Sequence, residues 1–343
     1  MIRIAIVGYG YWGPNIVRNF FSTKGIKVAS ICDPNPNALK KASTIYPCTY
    51  EKNADPSLIR LTSDHNEVTN APDIDAVAVV TPVSTHYEIA KKALMNGKHV
   101  FVEKPFTSSI SEAEELIEIA DRKGLTIMVD HTFLFTGAVK KIKELIDDNV
   151  LGNLYYFDST RVNLGLFQHD VNVIWDLAPH DLSIMDYVIG KKPLAISATG
   201  TAHLNGKEDA AFITVFFDNH IIAHFNVNWL SPVKIRSTLI GGDKKMLVWD
   251  DLDADEKIRI YDKGADLTTQ ESIHKLLVSY RSGDVWVPKI DQIEALKMEA
   301  DYFVDCVTNN KTPINDGSAG LRVVRVLEAA NKSLKQRGMP VTL

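Results

Sequence analysis

RIAIVGYGYWGPNIVRNF, residues 3–20, joins an apolar run to a glycine-punctuated turn and then to a segment with helical period. Gly8, Gly10 and Gly13, with Tyr11 and Trp12 between the last two, fit the pattern G-x-G-x-x-G. The first glycine permits a tight turn, the second lets a pyrophosphate approach the backbone, and the third lets helix pack on strand. Phosphates would then sit on the exposed N–H groups at the positive end of the helix dipole. Asp33 stands 20 residues after Gly13, at the end of the next apolar run, KVASIC (27–32). A carboxylate there accepts hydrogen bonds from the ribose hydroxyls of a dinucleotide and repels a 2′-phosphate. No arginine directly follows Asp33, which favours NAD over NADP.

Short apolar runs alternate with helix-period segments through the first 130 or so residues. DAVAVV (75–80) precedes STHYEIAKKALMNG, with Gly97 placed as a helix stop, and HVFV (99–102) precedes SEAEELIEIADRKG. In the latter, Ser111 and Glu114 read as a capping box and Gly124 as the stop. LTIMVD (125–130) closes the series, while Tyr46 to Asn70 is polar and irregular, a short insertion or a surface strand and loop. Strands that are apolar throughout, alternating with helices, predict a parallel sheet covered on both faces.

Beyond residue 132 the texture changes. An amphipathic helix, AVKKIKELIDDN, is followed by strand-like runs at 154–165, 193–204, 210–218, 220–230, 234–242 and 245–251, with Asp218-Asn219 as a tight turn. Helical segments at 293–309 and 320–338 end the sequence. The expectation is an α/β protein: a doubly wound Rossmann domain over 1–132, then an α+β domain over 133–343. The second sheet should be mostly antiparallel and open on one face.

Composition sets the class. The 343 residues suffice for two cores, and a net charge of −5 without a dense basic run argues against nucleic acid or an anionic membrane as partner. No apolar stretch approaches the roughly 18 residues of a spanning helix. Cys32, Cys48 and Cys306 form no CxxC pair, which points to reduced thiols in the cytoplasm and to no structural metal.

Three further stretches carry chemistry. In an open parallel sheet, ligands bind beyond the carboxyl ends of strands. Thr81-Pro82 and Glu103-Lys104-Pro105 both follow apolar runs at such ends. Charges there suit either a strand leaving into solvent or a lysine aimed into a site. His86 falls in the first turn of the following helix, where it either touches the cofactor or stands partly exposed. In IWDLAPHDLSIMDY (174–187), Asp176 and His180 are four apart and share a face if the run is helical. They read equally as a carboxylate-oriented imidazole or as a capped helix start with a buried histidine, and Asp181 and Asp186 are competing acids.

Taken in order, GYGYWGPN, Asp33, VVTP, EKP and D-x-x-x-H resemble the Gfo/Idh/MocA oxidoreductase family over essentially the full length, EKP being the most specific piece. The resemblance implies that Lys104 stands between nicotinamide and substrate, often beside a cis proline. It also implies that Asp176 and His180 meet the substrate hydroxyls, with His180 carrying the proton. GYWGPNIVRNF, RVNLGLFQHDVNVIWDLAPHD and YRSGD (280–284) are similar to members acting on nucleotide-linked sugars, such as UDP-N-acetylglucosaminuronate 3-dehydrogenases. Some sugar ketoreductases of the family use a tyrosine as the acid; this sequence has His180 there.

The expected cofactor site is therefore Gly8, Gly10, Tyr11, Trp12, Gly13, Asp33, Thr81, Pro82, His86, Glu103 and Lys104. Lys104, Asp176 and His180 are the expected catalytic group. Arg161 and Asn163 join them toward substrate, with Lys234 and Arg236 as further contacts for a carboxylate or diphosphate. An imidazole with a pKa of about 6.5 suits proton transfer at neutral pH. The alternatives are a free polyol, inositol or aldose dehydrogenase, a non-catalytic NAD-binding regulator, and more remotely a redox-neutral hydrolase that uses tightly held NAD. The open sheet face is expected to pair subunits into a homodimer or homotetramer.

Overall fold

The computed structural model describes residues 1–51, 55–165, 167–168, 170–218, 220–266, 279–281 and 283–343. The chain divides into two compact units, residues 1–135 with 293–325, and 136–292 with 326–343.

Unit 1 is built on a seven-stranded sheet in the order β3-β4-β2-β1-β5-β6-β7. The strands are β1 (Ile2–Val7), β2 (Ile26–Cys32), β3 (Cys48–Thr49), β4 (Ile59–Thr62), β5 (Ala76–Val79), β6 (His99–Glu103) and β7 (Ile127–Asp130), all parallel. β1 and β5 are buried nearly throughout, which explains why their runs lack period-two alternation. The connections are α1 (Gly13–Ser22), α2 (Pro36–Ile45), α3 (His65–Thr69), α4 (His86–Met95) and α5 (Ile110–Lys123). Strand order reverses between β1 and β5, so this edge of the sheet holds the crevice in which such folds bind dinucleotides.

Two local expectations change. The stretch from Tyr46 to Asn70 adds β3, β4 and α3 to the sheet and its cover. α5 starts earlier than Ser111: its cap is Ser109, whose hydroxyl accepts from the Glu112 N–H, while the Glu112 carboxylate reaches back to the Ser108 N–H at 3.0 Å. Gly124 does end α5, in the left-handed region at φ 63°.

Unit 2 carries α6 (Gly137–Asp147), β8 (Leu154–Val162), α7 (Val173–Ile189), β9 (Pro193–Thr201), β10 (Ala210–Phe217), β11 (Ile222–Asn228), β12 (Ile235–Gly242), β13 (Met246–Asp250) and β14 (Ile258–Tyr261). The short strands β15 (Gly264–Asp266) and β16 (Ser279–Arg281) pair with each other. With β17 (Val285–Trp286) and β18 (Val341–Thr342), the large sheet runs β17-β14-β13-β12-β8-β11-β10-β9-β18. Its pairings are antiparallel except β8 beside β11. α7 packs on one face, chiefly against β11, where Ala223, Phe225 and Val227 are buried. On β10 and β11, Phe212, Phe216 and Ile222 point the other way and stay exposed, the Phe212 ring stacked on His224. Asn219 of the expected turn lies outside the described residues, as do Ser282 of the YRSGD stretch and Leu166 and His169 of the stretch before α7.

After unit 2 the chain continues into α8 (Ala295–Asn309) and α9 (Gly317–Lys335). A single division at residue 132 leaves out the return of residues 293–325 to unit 1. The reason is aromatic packing. Phe303 of α8 meets Phe20 of α1 and Phe101 of β6 edge-on, with all three ring centroids 5.4–5.8 Å apart. Such T-shaped contacts add to simple area burial. Phe303→Ala should lower the unfolding free energy of the chain by about 3–5 kcal/mol in a denaturant titration. A loss below about 1 kcal/mol would remove α8 from the core of unit 1.

Candidate active site

Gly8 follows β1 with φ +104°, and a Cβ built on it would lie 2.2 Å from the carbonyl oxygen of Val80, beyond β5. One on Gly13 would lie 2.4 Å from the carbonyl oxygen of Gly8. These two glycines are required by the turn itself. Gly10 differs: a Cβ there would meet nothing within 4 Å. Its open side, together with an α1 N-terminus that has no side-chain cap, suits a pyrophosphate approaching the backbone. Tyr11 is 85% exposed, whereas the Trp12 indole N–H is 3.2 Å from the Asp130 carboxylate at the end of β7.

Asp33 is buried, and it holds the turn directly. One carboxylate oxygen accepts the Tyr9 N–H at 2.6 Å and the other the Asn35 N–H at 2.8 Å. Each oxygen keeps a further lone pair, which is what ribose hydroxyls would need. The donor set fits a dinucleotide.

The strand ends beyond β5 and β6 are joined by His86, which is fully buried. Its Nε2 lies 2.7 Å from the Thr81 carbonyl oxygen and its Nδ1 2.9 Å from that of Pro105. Burial holds its pKa below the ordinary value, against the pull of these acceptor carbonyls. His86 therefore acts as a brace between the Thr81-Pro82 end and the Glu103-Lys104-Pro105 end, whose Lys104–Pro105 peptide is cis. The Thr81 hydroxyl accepts from Thr85 at 2.7 Å. Glu103 and Lys104 are half-buried, and Glu103 pairs in register with Asp130 on β7.

Sequence reading passed over the next strand end. Asp130 and His131 close β7, and both are buried. Burial, with the positive charges of Lys104 and Arg322, pushes the His131 imidazole down to about 3. The signal was available: like HVFVEKP, IMVDH is a core strand that ends in polar groups.

In unit 2, Asp176 and His180 lie on α7, whose start is capped by the Asn172 side chain accepting from the Trp175 N–H. Their spacing puts them on one helix face, both half-buried. Buried Trp229 donates its indole N–H to Asp176 at 2.9 Å. Asp181 is engaged elsewhere: it receives Arg161 of β8 in a two-pronged ion pair at 2.6 and 2.9 Å, with both side chains 4% exposed. Asn163 donates its backbone N–H to the Asn228 carbonyl. Arg236 is half-buried and bonded to Asp251 at 3.3 Å, and Lys234 is exposed.

Two family models match the chain. One, described as an oxidoreductase family with an NAD-binding Rossmann fold, covers residues 2–131; the other, the C-terminal alpha/beta domain of an oxidoreductase family, covers residues 143–343. The chain is 26% identical to the scyllo-inositol 2-dehydrogenase (NAD(+)) of Bacillus subtilis, covering all of this chain and 96% of that protein. It is also 26% identical to the UDP-N-acetylglucosamine 3-dehydrogenase of Acidithiobacillus ferrooxidans, over 94% of each. The solved structure of the Acidithiobacillus ferrooxidans enzyme superposes with a TM-score of 0.80 at 22% identity, covering 98% of each chain.

Gly10→Ala should fold as the unaltered protein does but bind NAD about tenfold more weakly by calorimetry. Gly8→Ala and Gly13→Ala should fail to fold stably. Equal NAD affinity in Gly10→Ala would remove the turn as the phosphate site.

Proposed function

The chain belongs to the Gfo/Idh/MocA oxidoreductase family, and from that premise we propose that it is an NAD-dependent dehydrogenase acting on a secondary hydroxyl of a nucleotide-linked sugar. The observation that carries this reading is the brace at His86. It ties the lysine-bearing turn after β6 to the strand end facing the dinucleotide turn, which supports a place for Lys104 beside the cofactor crevice. Preference for NAD over NADP rests on Asp33, whose carboxylate would repel a 2′-phosphate.

The roles follow from chemistry. NAD, when bound, accepts the hydride. Lys104 would stabilise the alkoxide that develops on the substrate oxygen, where a cation outweighs water. His180 would take the hydroxyl proton. Asp176, its own carboxylate fixed by the Trp229 N–H, would hold that imidazole in one tautomer. Glu103 and Pro82 would line the cofactor side with Thr81, and Asn163 the substrate side. Arg161 is proposed to steady α7 through Asp181 instead of touching substrate.

A nucleotide-linked sugar is supported by the texture of the glycine turn and of the segment before α7, and by the UDP-N-acetylglucosamine 3-dehydrogenase among the relatives. One observation favours a free polyol instead. With Arg161 committed to Asp181 and Arg236 bonded to Asp251, fewer cations remain for a diphosphate. The test is the reduced-nicotinamide absorbance on adding NAD with UDP-sugars, dTDP-sugars, inositol and free hexoses in turn. A response to one nucleotide sugar is expected; a response only to polyols would favour the second reading. Lys104→Met and His180→Asn should each lower kcat by about 10²–10⁴ while NAD still binds.

We further propose that the exposed face of the unit 2 sheet pairs subunits into a homodimer or homotetramer, since Phe212, Phe216 and Ile222 are exposed on that face. A cytoplasmic setting is supported by three free thiols. Burial pushes Cys32 up to about 12 and Cys48 up to about 11, away from thiolate chemistry. Light scattering should give a multiple of the chain mass, and the double variant Phe212→Asp, Phe216→Asp should return the monomer. A monomeric wild type would end the proposal.

A further inference from the structure

Unit 1 holds a buried acid pair that has no part in the proposed proton and hydride transfers. Asp130 at the end of β7 is 1% exposed and Glu299 on α8 is 0% exposed. Asn315 binds this region together. Its side-chain N–H groups reach the Val129 carbonyl at 2.6 Å and Glu299 Oε1 at 2.9 Å, and its carbonyl accepts the Val129 N–H at 2.8 Å. Asp130 in turn accepts from the Thr132 hydroxyl and from the Trp12 indole. Trp12 lies between the second and third glycines of the dinucleotide turn.

The protonation states are consistent with one hydrogen-bonded chain. Burial, the Asp130 charge and a hydrogen bond to Asp130 hold the Glu299 carboxyl well above its ordinary value, which favours its neutral form. Burial also raises Asp130, but the Thr132, Glu299 and Trp12 donors and the Lys104 charge pull it back. Asp130 accepts from Thr132 and Trp12, and a proton on Glu299 would let the two buried carboxyls sit together.

We propose that Asp130, seated by Glu299, is a positioning residue for the cofactor: its hydrogen bond to Trp12 sets the backbone of the glycine turn that receives the pyrophosphate. An indole held only by apolar contact could rotate, and the turn with it. One anchored through Nε1 to a carboxylate from the far edge of the sheet fixes the segment from Tyr11 to Gly13. α8, from the distant end of the chain, thereby helps shape the dinucleotide site.

The proposal rests on the cofactor site and not on the sugar reading, so NAD affinity tests it even if every sugar is inert. The experiment measures NAD dissociation constants by calorimetry, and melting temperatures, for Trp12→Phe, Asp130→Asn, the double variant and Glu299→Gln. Trp12→Phe and Asp130→Asn should each weaken NAD about five- to tenfold. The double variant should lose no more than either single change, because both break one interaction. Glu299→Gln, an isostere of the neutral acid that still donates, should bind NAD as the wild type does. Wild-type affinity in Trp12→Phe, additive losses in the double variant, or lowered melting temperatures with unchanged NAD affinity would each overturn the proposal. A wild type that binds no NAD would instead bring down the cofactor site itself.

Discussion

Unit 1 depends on the close approach of two backbones. β1 and β5 come together at Gly8 so tightly that a side chain would strike the Val80 carbonyl, and φ at Gly8 is +104°. That approach turns the chain so that the Gly8 N–H reaches the Cys32 carbonyl at 2.8 Å and the Tyr9 N–H reaches Asp33. Three strand ends are thereby locked by backbone geometry, and only then can Gly10 face open space. His86 extends the lock one strand further, to the turn carrying Lys104. The crevice beyond β1 and β5 and the turn carrying Lys104 are consequences of one constraint.

This explains what was legible in the sequence. Glycine spacing, an acid at the end of the second strand and apolar runs ending in polar residues are local signals, and each marks a place where the backbone is constrained. Asp176 and His180 were readable for the same reason, since four-residue spacing on a helix fixes a shared face. What was not legible was nonlocal. The amphipathic pattern of α8 says that a face is buried but not against which unit, and the answer depends on Phe20 and Phe101 far upstream. β4 was hidden because Arg60 interrupts a four-residue run; its place is set by pairing with β2, and Arg60 is compensated by Glu67. Arg161 looked like a substrate contact because sequence cannot show Asp181 facing it.

Ionisable groups at the end of β7 follow one rule in two directions. Burial disfavours charge, so it lifts Glu299 and depresses His131. Both are pushed toward their neutral forms, which leaves Asp130 among donors, with Glu103 on the neighbouring strand as the other acid. A sequence reader would count two acids and a histidine; the folded site carries far less charge than that count implies.

The ion pair behind α7 has a comparable logic. Arg161 and Asp181 are desolvated together, and such a pair contributes little net stability compared with apolar residues of the same size. Its effect is geometric, because a two-pronged guanidinium–carboxylate contact permits one orientation. Asp181 directly follows His180, so the pair fixes the register of the residue beside the proposed base. Arg236 lies close enough that its pKa is lowered by burial and then by the Arg161 charge, and Asp251 answers it. Arg161 and Arg236 thus hold the helix and the sheet beneath it.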